Sequence, residues 1–246
     1  RSTPCGTLFP YTTLFRSLAS GSALGRSVLM HGNHAELSDL SEKQKQHPYQ
    51  LPKRPKLAVP IDFPACMLNQ YSVKAFNALF YAKNRSASGI IVDYDKYFYP
   101  LDGVHQWNRM YGKKGFIQYQ ATFPFENRVG LVKMLERLSA SGRASFLAVL
   151  KCFGDAGSGM LSYPMPGYTL ALDIPNDIGL EAYIGSLDRL LLEYGGRLYL
   201  AKDALTQPET FAAMYPRLDA FREVRAQVDP EGLLSSNLSR RLRIDG

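Results

Sequence analysis

The stretch "FIQYQATFPFENRVGLVKMLERLS" (Phe116–Ser139) changes its hydrophobic period at Pro124. Phe116–Phe123 alternates polar and apolar side chains, which is typical of a β-strand with one face in a core. Glu126–Ser139 instead carries its apolar residues at helical spacing, with Val129, Val132, Leu135 and Leu138 on or near one face. The stretch therefore predicts a strand, a proline-bearing turn and an amphipathic helix.

The same order of elements returns further along the chain. The predicted elements are, in order, a strand at Ser145–Phe153, a strand at Tyr168–Ile174, a helix at Leu180–Tyr194 stopped by Gly195 and Gly196, and a strand at Arg197–Leu200. Two strand–helix–strand units of this kind pack into an antiparallel sheet with helices on one face, the ferredoxin-like arrangement. The predicted fold class is therefore α+β, followed by a helical C-terminal segment.

Composition argues against some classes of protein but does not identify one. The chain has 246 residues, and its net charge of +7 favours anionic partners without choosing among nucleic acid, lipid phosphate and nucleotide. No apolar run approaches the roughly 20 residues of a membrane-spanning helix. The three cysteines lack metal-ligand spacing, so a reducing compartment is the default.

The N-terminal stretch "TLFPYTTLFRS" (Thr7–Ser17) has neither a helical nor a strand period and lacks the pattern of a signal peptide. It reads like the translation of a sequencing-library adapter, so we exclude residues 1–17 from the fold prediction as non-native. We expect the remainder to be the C-terminal part of a longer protein. Its cysteines, Cys66 and Cys152, are expected to be small buried apolar residues. Upstream of the sheet, Ser72–Lys83 predicts a helix and Gly89–Tyr94 a strand.

Several polar residues are candidates for a site, and each has a simpler alternative. Gln118 and Gln120 share the strand face opposite the predicted core, where they either bind a polar ligand or are merely solvated. Lys151, inside the apolar run "FLAVLKCFG", either reaches the sheet surface or faces an anion.

Lys202, three residues after Tyr199, can place an ammonium in a cleft to stabilise developing negative charge or to act as a base. The alternative is a weak surface salt bridge to Asp203 or Glu209. His31, His34 and Glu36 are too few for a metal site, and no metal is predicted.

Five stretches together resemble one enzyme family, and they keep its order and spacing. They are "FYPLDGVHQWNRMYGKKGFIQYQ" (Phe98–Gln120), "SFLAVLKCFG" (Ser145–Gly154), "LSYPMPGYTLALDIP" (Leu161–Pro175), "GGRLYLAKD" (Gly195–Asp203) and "FAAMYPRLDAF" (Phe211–Phe221). The family is that of the decaprenylphosphoryl-β-D-ribose 2′-oxidases, FAD-dependent oxidoreductases of the vanillyl-alcohol-oxidase type.

The resemblance implies a domain organisation. Residues 18–197 match the family's substrate (cap) domain, and residues 198–246 match the segment that returns to an FAD-binding domain. That domain would lie outside this chain, so we expect the chain alone to be inactive and to hold FAD weakly.

The resemblance also implies residue roles. Lys202 matches the essential active-site lysine beside the flavin, and Tyr199 matches a neighbouring flavin-contacting tyrosine. Gln118, Gln120 and Lys151 match residues that line the sugar and flavin pocket, and Arg109 falls in a matching motif with a less defined role in substrate binding.

The implied substrate is a polyprenyl-phosphate pentose whose secondary hydroxyl is oxidised by hydride transfer to flavin N5. A partner short-chain reductase would complete the conversion in the cytoplasm or at the inner membrane surface, and no nucleic acid is implied. The alternatives are an aldonolactone or other sugar-alcohol oxidase, and an inactive binding module. Ala171 stands where mycobacterial members carry a cysteine that covalent inhibitors attack, and Thr169 replaces an asparagine. Such inhibitors are therefore expected to fail, and the two changes concern recognition of the substrate rather than the flavin chemistry.

Overall fold

The computed structural model describes residues 34–50, 57–64, 90–93, 103–143 and 148–245, the backbone of 13–15, and scattered single positions between 67 and 97. Its strands are β1 (Thr13–Phe15), β2 (Leu57–Ala58), β3 (Val104–His105), β4 (Phe116–Pro124), β5 (Ala148–Phe153), β6 (Gly167–Pro175) and β7 (Arg197–Leu198). Its helices are α1 (Glu42–Lys45), α2 (Arg128–Ala140), α3 (Leu180–Glu193), α4 (Pro208–Met214), α5 (Leu218–Val228) and α6 (Asn237–Arg241).

The main sheet confirms the predicted α+β arrangement. Its strand order is β1-β5-β6-β4-β7, and every neighbouring pair is antiparallel. Strands β4 to β7, with α2 and α3 between them, form two strand–helix–strand units whose central strands are β4 and β6. This is the ferredoxin-like order. Strands β2 and β3 form a separate parallel pair.

The register of the two central strands fixes which residues share a face. β4 pairs with β6 along its whole length, from Phe116 opposite Pro175 to Pro124 opposite Gly167. A side chain at Gly167 is excluded, because a Cβ there would lie 2.2 Å from the carbonyl oxygen of Phe123. This close approach keeps the two strands paired to their ends.

One face of the sheet is the core. Tyr119, Ala121 and Phe123 of β4 point into it beside Leu170 and Leu172 of β6. α2 and α3 cover this face with buried side chains that include Met134, Leu138, Ile184, Leu187 and Leu191. The periodicity of Phe116–Ser139 therefore correctly identifies the buried side of both elements.

The C-terminal helices pack against the β7 end of the sheet. Tyr215 is buried, and its hydroxyl donates to the carbonyl oxygen of Leu198 in β7 at 2.6 Å. Phe211 stacks near Tyr215 with ring centroids 5.0 Å apart, and Leu242 and Ile244 join the same core. The predicted helical C-terminal segment is thus part of the same packed unit.

Some sequence predictions need correction. Ile90–Asp93, inside the predicted strand Gly89–Tyr94, has no regular secondary structure. Cys152 is exposed rather than buried, because it lies on β5 near the edge of the sheet; Cys66 lies outside the described residues. Thr13–Phe15 pairs with β5 although it has no strand period, since a sheet edge offers unpaired main-chain groups to any extended segment. Whether residues 1–17 are native stays a prediction.

Two further findings concern the described part of the chain only. No helix there has the length and apolar character to cross a bilayer. No group of three or more metal-ligating His, Cys, Asp or Glu side chains occurs there either. Of the residues weighed for a metal, His34 and Glu36 are exposed and His31 lies outside the described residues.

Candidate active site

The sheet face opposite the core is lined with polar side chains, and we call it the open face. β4 contributes Gln118, Gln120 and Thr122, because these alternate with the core residues of that strand. By the same register, β6 contributes Thr169, Ala171 and Asp173, and β5 contributes Lys151 opposite Thr169. Three strands therefore place amides, hydroxyls and both signs of charge on one surface.

Asp173 is the carboxylate of the open face. It is only 1% exposed, and both of its oxygens accept hydrogen bonds. Gln118 Nε2 donates to Oδ1 at 3.0 Å, and the Tyr111 hydroxyl donates to Oδ2 at 3.2 Å. The second bond ties the 3-10 helix Trp107–Tyr111 to the sheet. The Gln118 side chain is thus half-buried, and its amide nitrogen is hydrogen-bonded to Asp173.

A second polar group lies further along the same strands. Gln120 is 7% exposed and donates to the Thr169 hydroxyl at 3.3 Å. The Tyr163 hydroxyl lies 2.7 Å from the hydroxyl of Thr122 and 2.7 Å from that of Thr169. The two amides named from the sequence therefore each belong to a hydrogen-bonded group of the open face.

Tyr199 joins this surface to the turn that carries Lys202. Its ring stacks on that of Tyr163, with centroids 4.7 Å apart and planes inclined by 29°. Its main-chain N–H donates to the carbonyl oxygen of Gln120 at 2.9 Å, and its own carbonyl accepts from the Lys202 N–H at 2.8 Å. Lys202 is therefore held at the end of β7, next to the open face.

The carboxylates that would neutralise Lys202 in the simpler alternative are already occupied. Asp203 accepts from Arg241 at 2.8 Å, and Glu209 pairs with Arg243 at 3.1 Å. Within the part of the chain that the structure describes, Lys202 itself has no salt-bridge partner. The turn thus presents a half-buried ammonium that forms no salt bridge with Asp203 or Glu209, the carboxylates nearest to it in sequence.

The electrostatic setting of Lys202 follows from its place beside the sheet. Burial lowers the pKa of the Lys202 ammonium, and the like charge of Lys151 lowers it further, while Asp173 raises it. Burial also raises the pKa of the Asp173 carboxyl, against the hydrogen bonds from Gln118 and Tyr111 and the charge of Lys202. Lys202, Lys151 and Asp173 are therefore one electrostatic group.

The structure brings most of the predicted site residues together. Gln118, Gln120, Lys151, Tyr199 and Lys202 all border the open face, with Lys151 exposed on β5. Their roles toward a ligand stay predictions.

Arg109 is engaged elsewhere. Its guanidinium donates to the main-chain oxygens of Val59 at 3.2 Å and Pro60 at 2.5 Å. In this structure it holds the loop beside β2.

Sequence reasoning missed Asp173, Tyr163 and Tyr111 as site residues. A signal was available for Asp173, because it lies two positions from Ala171 and four from Thr169 in the alternating strand "GYTLALDIP" (Gly167–Pro175). Tyr163 and Tyr111 had no such signal, since they lie in a loop and a 3-10 helix. Only the folded chain places them on the open face.

The donor set suits a ligand that carries or develops negative charge. A half-buried ammonium is worth more than one in water, because the local dielectric is lower and its position is fixed. The amides add directional hydrogen bonds, and the Tyr163 and Tyr199 rings add an aromatic wall. Such a surface fits a ligand that is anionic or carries several hydroxyls.

Comparisons with known proteins support an oxidase relationship. The family described as D-arabinono-1,4-lactone oxidase matches residues 168–242. The chain is 36% identical over 230 residues to decaprenylphosphoryl-beta-D-ribose oxidase of Mycolicibacterium smegmatis, covering 94% of this chain and 50% of that protein. It is also 33% identical over 236 residues to an uncharacterized protein from the mprA 5′ region of Streptomyces coelicolor, covering 92% of this chain and 63% of that protein.

These similarities confirm the resemblance seen in the sequence motifs. The chain spans half of one of these curated relatives and less than two thirds of the other. The segment matched by the lactone-oxidase family contains nearly all of β6, together with α3, β7 and the Lys202 turn; of these, β6, β7 and the turn border the open face, whereas α3 covers the core face.

Proposed function

We propose, from the relationship of this chain to decaprenylphosphoryl-β-D-ribose oxidase and the D-arabinono-1,4-lactone oxidase family, that it is the substrate-facing part of an FAD-linked oxidase. The observation that carries the proposal is the Lys202 ammonium. It is half-buried beside a wall of amides, and Arg241 and Arg243 occupy the carboxylates nearest to it in sequence. A charge of this kind is suited to a ligand that gains negative charge during reaction.

The residues present fit FAD as the cofactor. When bound, FAD supplies the acceptor for a hydride from the substrate carbon. Lys202 would provide the fixed positive charge that favours the reduced cofactor, and Tyr199 would line the same place. Gln118, Gln120 and Lys151 would bind and orient the substrate hydroxyls, because they stand on the adjoining strands of the open face.

The proposed substrate is a polyprenyl-phosphate pentose oxidised at a secondary hydroxyl. The basic character of the chain suits a phosphate at a membrane surface, and a short-chain reductase acting on the keto sugar is the proposed partner. The flavoprotein would work in the cytoplasm or at the inner membrane.

A second candidate is oxidation of an aldonolactone or another sugar alcohol. It is favoured by the family match over residues 168–242 and by Ala171 and Thr169 of the open face, where the resemblance implies a cysteine and an asparagine in mycobacterial members. Turnover of prenyl-phospho-ribose, measured beside turnover of sugar lactones by the flavoprotein that carries this chain, separates the two.

The first prediction concerns Lys202 in that flavoprotein. Lys202→Met should lower kcat by at least about 100-fold, since removal of one preorganised charge-stabilising group typically has this effect. FAD content and melting temperature should stay near those of the unmodified enzyme. Lys114→Met, at an exposed lysine, is the matched control and should leave kcat unchanged. Unaltered turnover by the Lys202→Met enzyme would remove the basis of the proposal.

A further inference from the structure

Tyr163 lies on the open face but is almost completely covered by the protein. It belongs to the segment between β5 and β6, and only 6% of it is exposed. The Thr122 hydroxyl donates to the Tyr163 hydroxyl at 2.7 Å, and the Thr169 hydroxyl lies 2.7 Å from the same oxygen. Both threonines are fully buried. Little of Tyr163 is therefore left to contact a ligand.

The main chain beside Tyr163 is also attached to the sheet. Arg197 of β7, which lies opposite Thr122 in the strand register, donates from its guanidinium to the Ser162 carbonyl at 3.0 Å. The same guanidinium lies over the ring of Tyr215, 5.5 Å from its centroid. Tyr163 is thus held through its hydroxyl by β4 and β6, and through the preceding residue by β7.

The fixed ring of Tyr163 supports a more exposed one. Tyr199 is 37% exposed, and its ring stacks on that of Tyr163 with centroids 4.7 Å apart. The Tyr199 carbonyl accepts a hydrogen bond from the Lys202 N–H at 2.8 Å, which closes the turn between the two residues. The stack therefore joins a buried, hydrogen-bonded ring to the turn that carries the Lys202 ammonium.

The Tyr163 phenol is not suited to proton transfer near neutral pH. Burial raises the pKa of Tyr163 to about 12, although the hydrogen bonds from the threonines oppose the shift. Its hydroxyl stays protonated, and it is used up by contacts within the protein. Any effect of Tyr163 on a reaction must then pass through the residues it supports.

We propose that Tyr163 is a positioning residue: held by Thr122 and Thr169, its ring fixes the Tyr199 ring and with it the turn that places Lys202 beside the open face. This inference rests on the proposed function and adds what holds its central charge in place. Position matters there, because a displacement of about 1 Å in a charge-stabilising group can cost a large part of its effect.

The first test measures amide hydrogen exchange in the 246-residue chain, without any ligand. Tyr163→Leu removes the stack and both hydroxyl contacts, so exchange of the amides of residues 199–203 should rise about tenfold. Tyr163→Phe keeps the ring and should raise the same rates by a smaller factor. The amides of α3 should keep their rates in both variants, because α3 packs on the core face.

Tyr168→Phe is the matched control, since it makes the same chemical change at a neighbouring tyrosine whose ring contacts Phe125. It should leave exchange at residues 199–203 unchanged. An equal rise in α3 and in residues 199–203 would indicate general loosening and would overturn the proposal. If Tyr163→Leu does not fold, Tyr163→Phe decides: rates at residues 199–203 no faster than in the Tyr168→Phe chain reject it.

A second readout uses the flavoprotein and asks whether Tyr163 acts through Lys202. Tyr163→Leu should lower kcat about tenfold at unchanged FAD content, because the ammonium is displaced. The same change made in the Lys202→Met enzyme should have little further effect, since no ammonium is left to position. Losses that simply multiply in the double variant would contradict the inference.

The two readouts separate this inference from the function on which it rests. If the unmodified flavoprotein oxidises no sugar, the proposed function fails, whereas the exchange rates still decide whether Tyr163 fixes the Lys202 turn. If the flavoprotein is active and exchange at residues 199–203 does not respond to Tyr163→Leu or Tyr163→Phe, the proposed function stands and the role of Tyr163 is rejected.

Discussion

Lys202 is available to a ligand because two arginines of the C-terminal segment occupy the carboxylates nearest to it in sequence. Arg241 pairs with Asp203, and Arg243 pairs with Glu209. The remaining acidic influence on Lys202 comes from Asp173, across the sheet. At the scale of single residues, the candidate site is therefore a set of charges whose pairing is decided by distant parts of the chain.

The core face of the sheet carries a buried acid of its own. Asp188 of α3 is 2% exposed and accepts a hydrogen bond from the Tyr119 hydroxyl at 2.9 Å. Burial raises the pKa of Asp188 from 3.8 to about 6, although the hydrogen bond from Tyr119 opposes the shift. The folded protein therefore binds this proton more tightly than the unfolded chain does.

This raised pKa gives a prediction for stability. The contribution of Asp188 to the free energy of unfolding is fully present below about pH 4 and is lost as pH rises through about 6. Asp188→Asn retains an acceptor for Tyr119 but has no charge to bury, so it should be more stable than the unmodified chain near pH 7, by about 3 kcal/mol. The gain should vanish near pH 4. Urea unfolding at several pH values measures both.

The control for this prediction is Asp155→Asn, at an exposed carboxylate. It should leave the free energy of unfolding within about 0.5 kcal/mol at every pH. A difference between Asp188→Asn and the unmodified chain that does not change with pH would contradict the assignment to ionisation.

At the scale of elements, the sheet has one apolar face, which the helices cover, and one polar face. Strand alternation places Tyr119 on the helix side, where it donates to Asp188 of α3, while Gln118 and Gln120, the neighbours of Tyr119, reach the open face. The edge strand β7 has only two residues. It is nevertheless the strand that leads into the Lys202 turn.

The hydrogen bond that attaches β7 to the C-terminal helices can therefore be tested by mutation. Tyr215→Phe removes the 2.6 Å hydrogen bond to the Leu198 carbonyl and should destabilise the chain by about 1–3 kcal/mol, since it leaves a buried acceptor unpaired. Hydrogen exchange should rise in residues 197–203. Tyr168→Phe is a matched control, because Tyr168 contacts Phe125 through its ring. Equal exchange in both variants would show that β7 is held by packing alone.

At the scale of the whole molecule, the C-terminal segment completes the site. Arg241 of α6 donates to the Thr206 carbonyl at 3.1 Å and to Asp203 at 2.8 Å, so the last helix holds both ends of the loop that follows Lys202. The buried Leu242 and Ile244 fix the segment in the core. The sheet and the C-terminal helices thus share one hydrophobic core, and the Lys202 turn lies in the segment that connects them.

This arrangement predicts the effect of removing the Arg241 guanidinium. Arg241→Gln should destabilise the chain by about 1–3 kcal/mol, because it leaves the buried Asp203 carboxylate without its partner. The double variant Arg241→Gln with Asp203→Asn should recover part of the loss. Arg243→Gln, at a pair whose side chains are both mostly exposed, is the control and should stay within about 0.5 kcal/mol. No recovery in the double variant would indicate that Arg241 acts without Asp203.

The sequence alone predicted strands β4 to β7 and the helices packed on them, and it named Lys202, Tyr199, Gln118 and Gln120 as candidates whose roles stay predictions. These features are local: the change of period at Pro124 and the glycines after α3 need no knowledge of distant residues. Short apolar runs were less informative. Ile90–Asp93 is not a strand because such runs do not specify a partner.

Only the tertiary structure decided how the site is put together. Tyr111 and Asp173 are 62 positions apart, and Arg241 and Asp203 are 38 apart, so no local pattern joins them. Arg109, which shares a motif with the site in sequence, instead holds the carbonyls of Val59 and Pro60. The physical reason is that both arrangements depend on contacts between distant segments. The register of β4 against β6 decides which side chains share the open face, and the packing of α6 decides which carboxylate Arg241 pairs with.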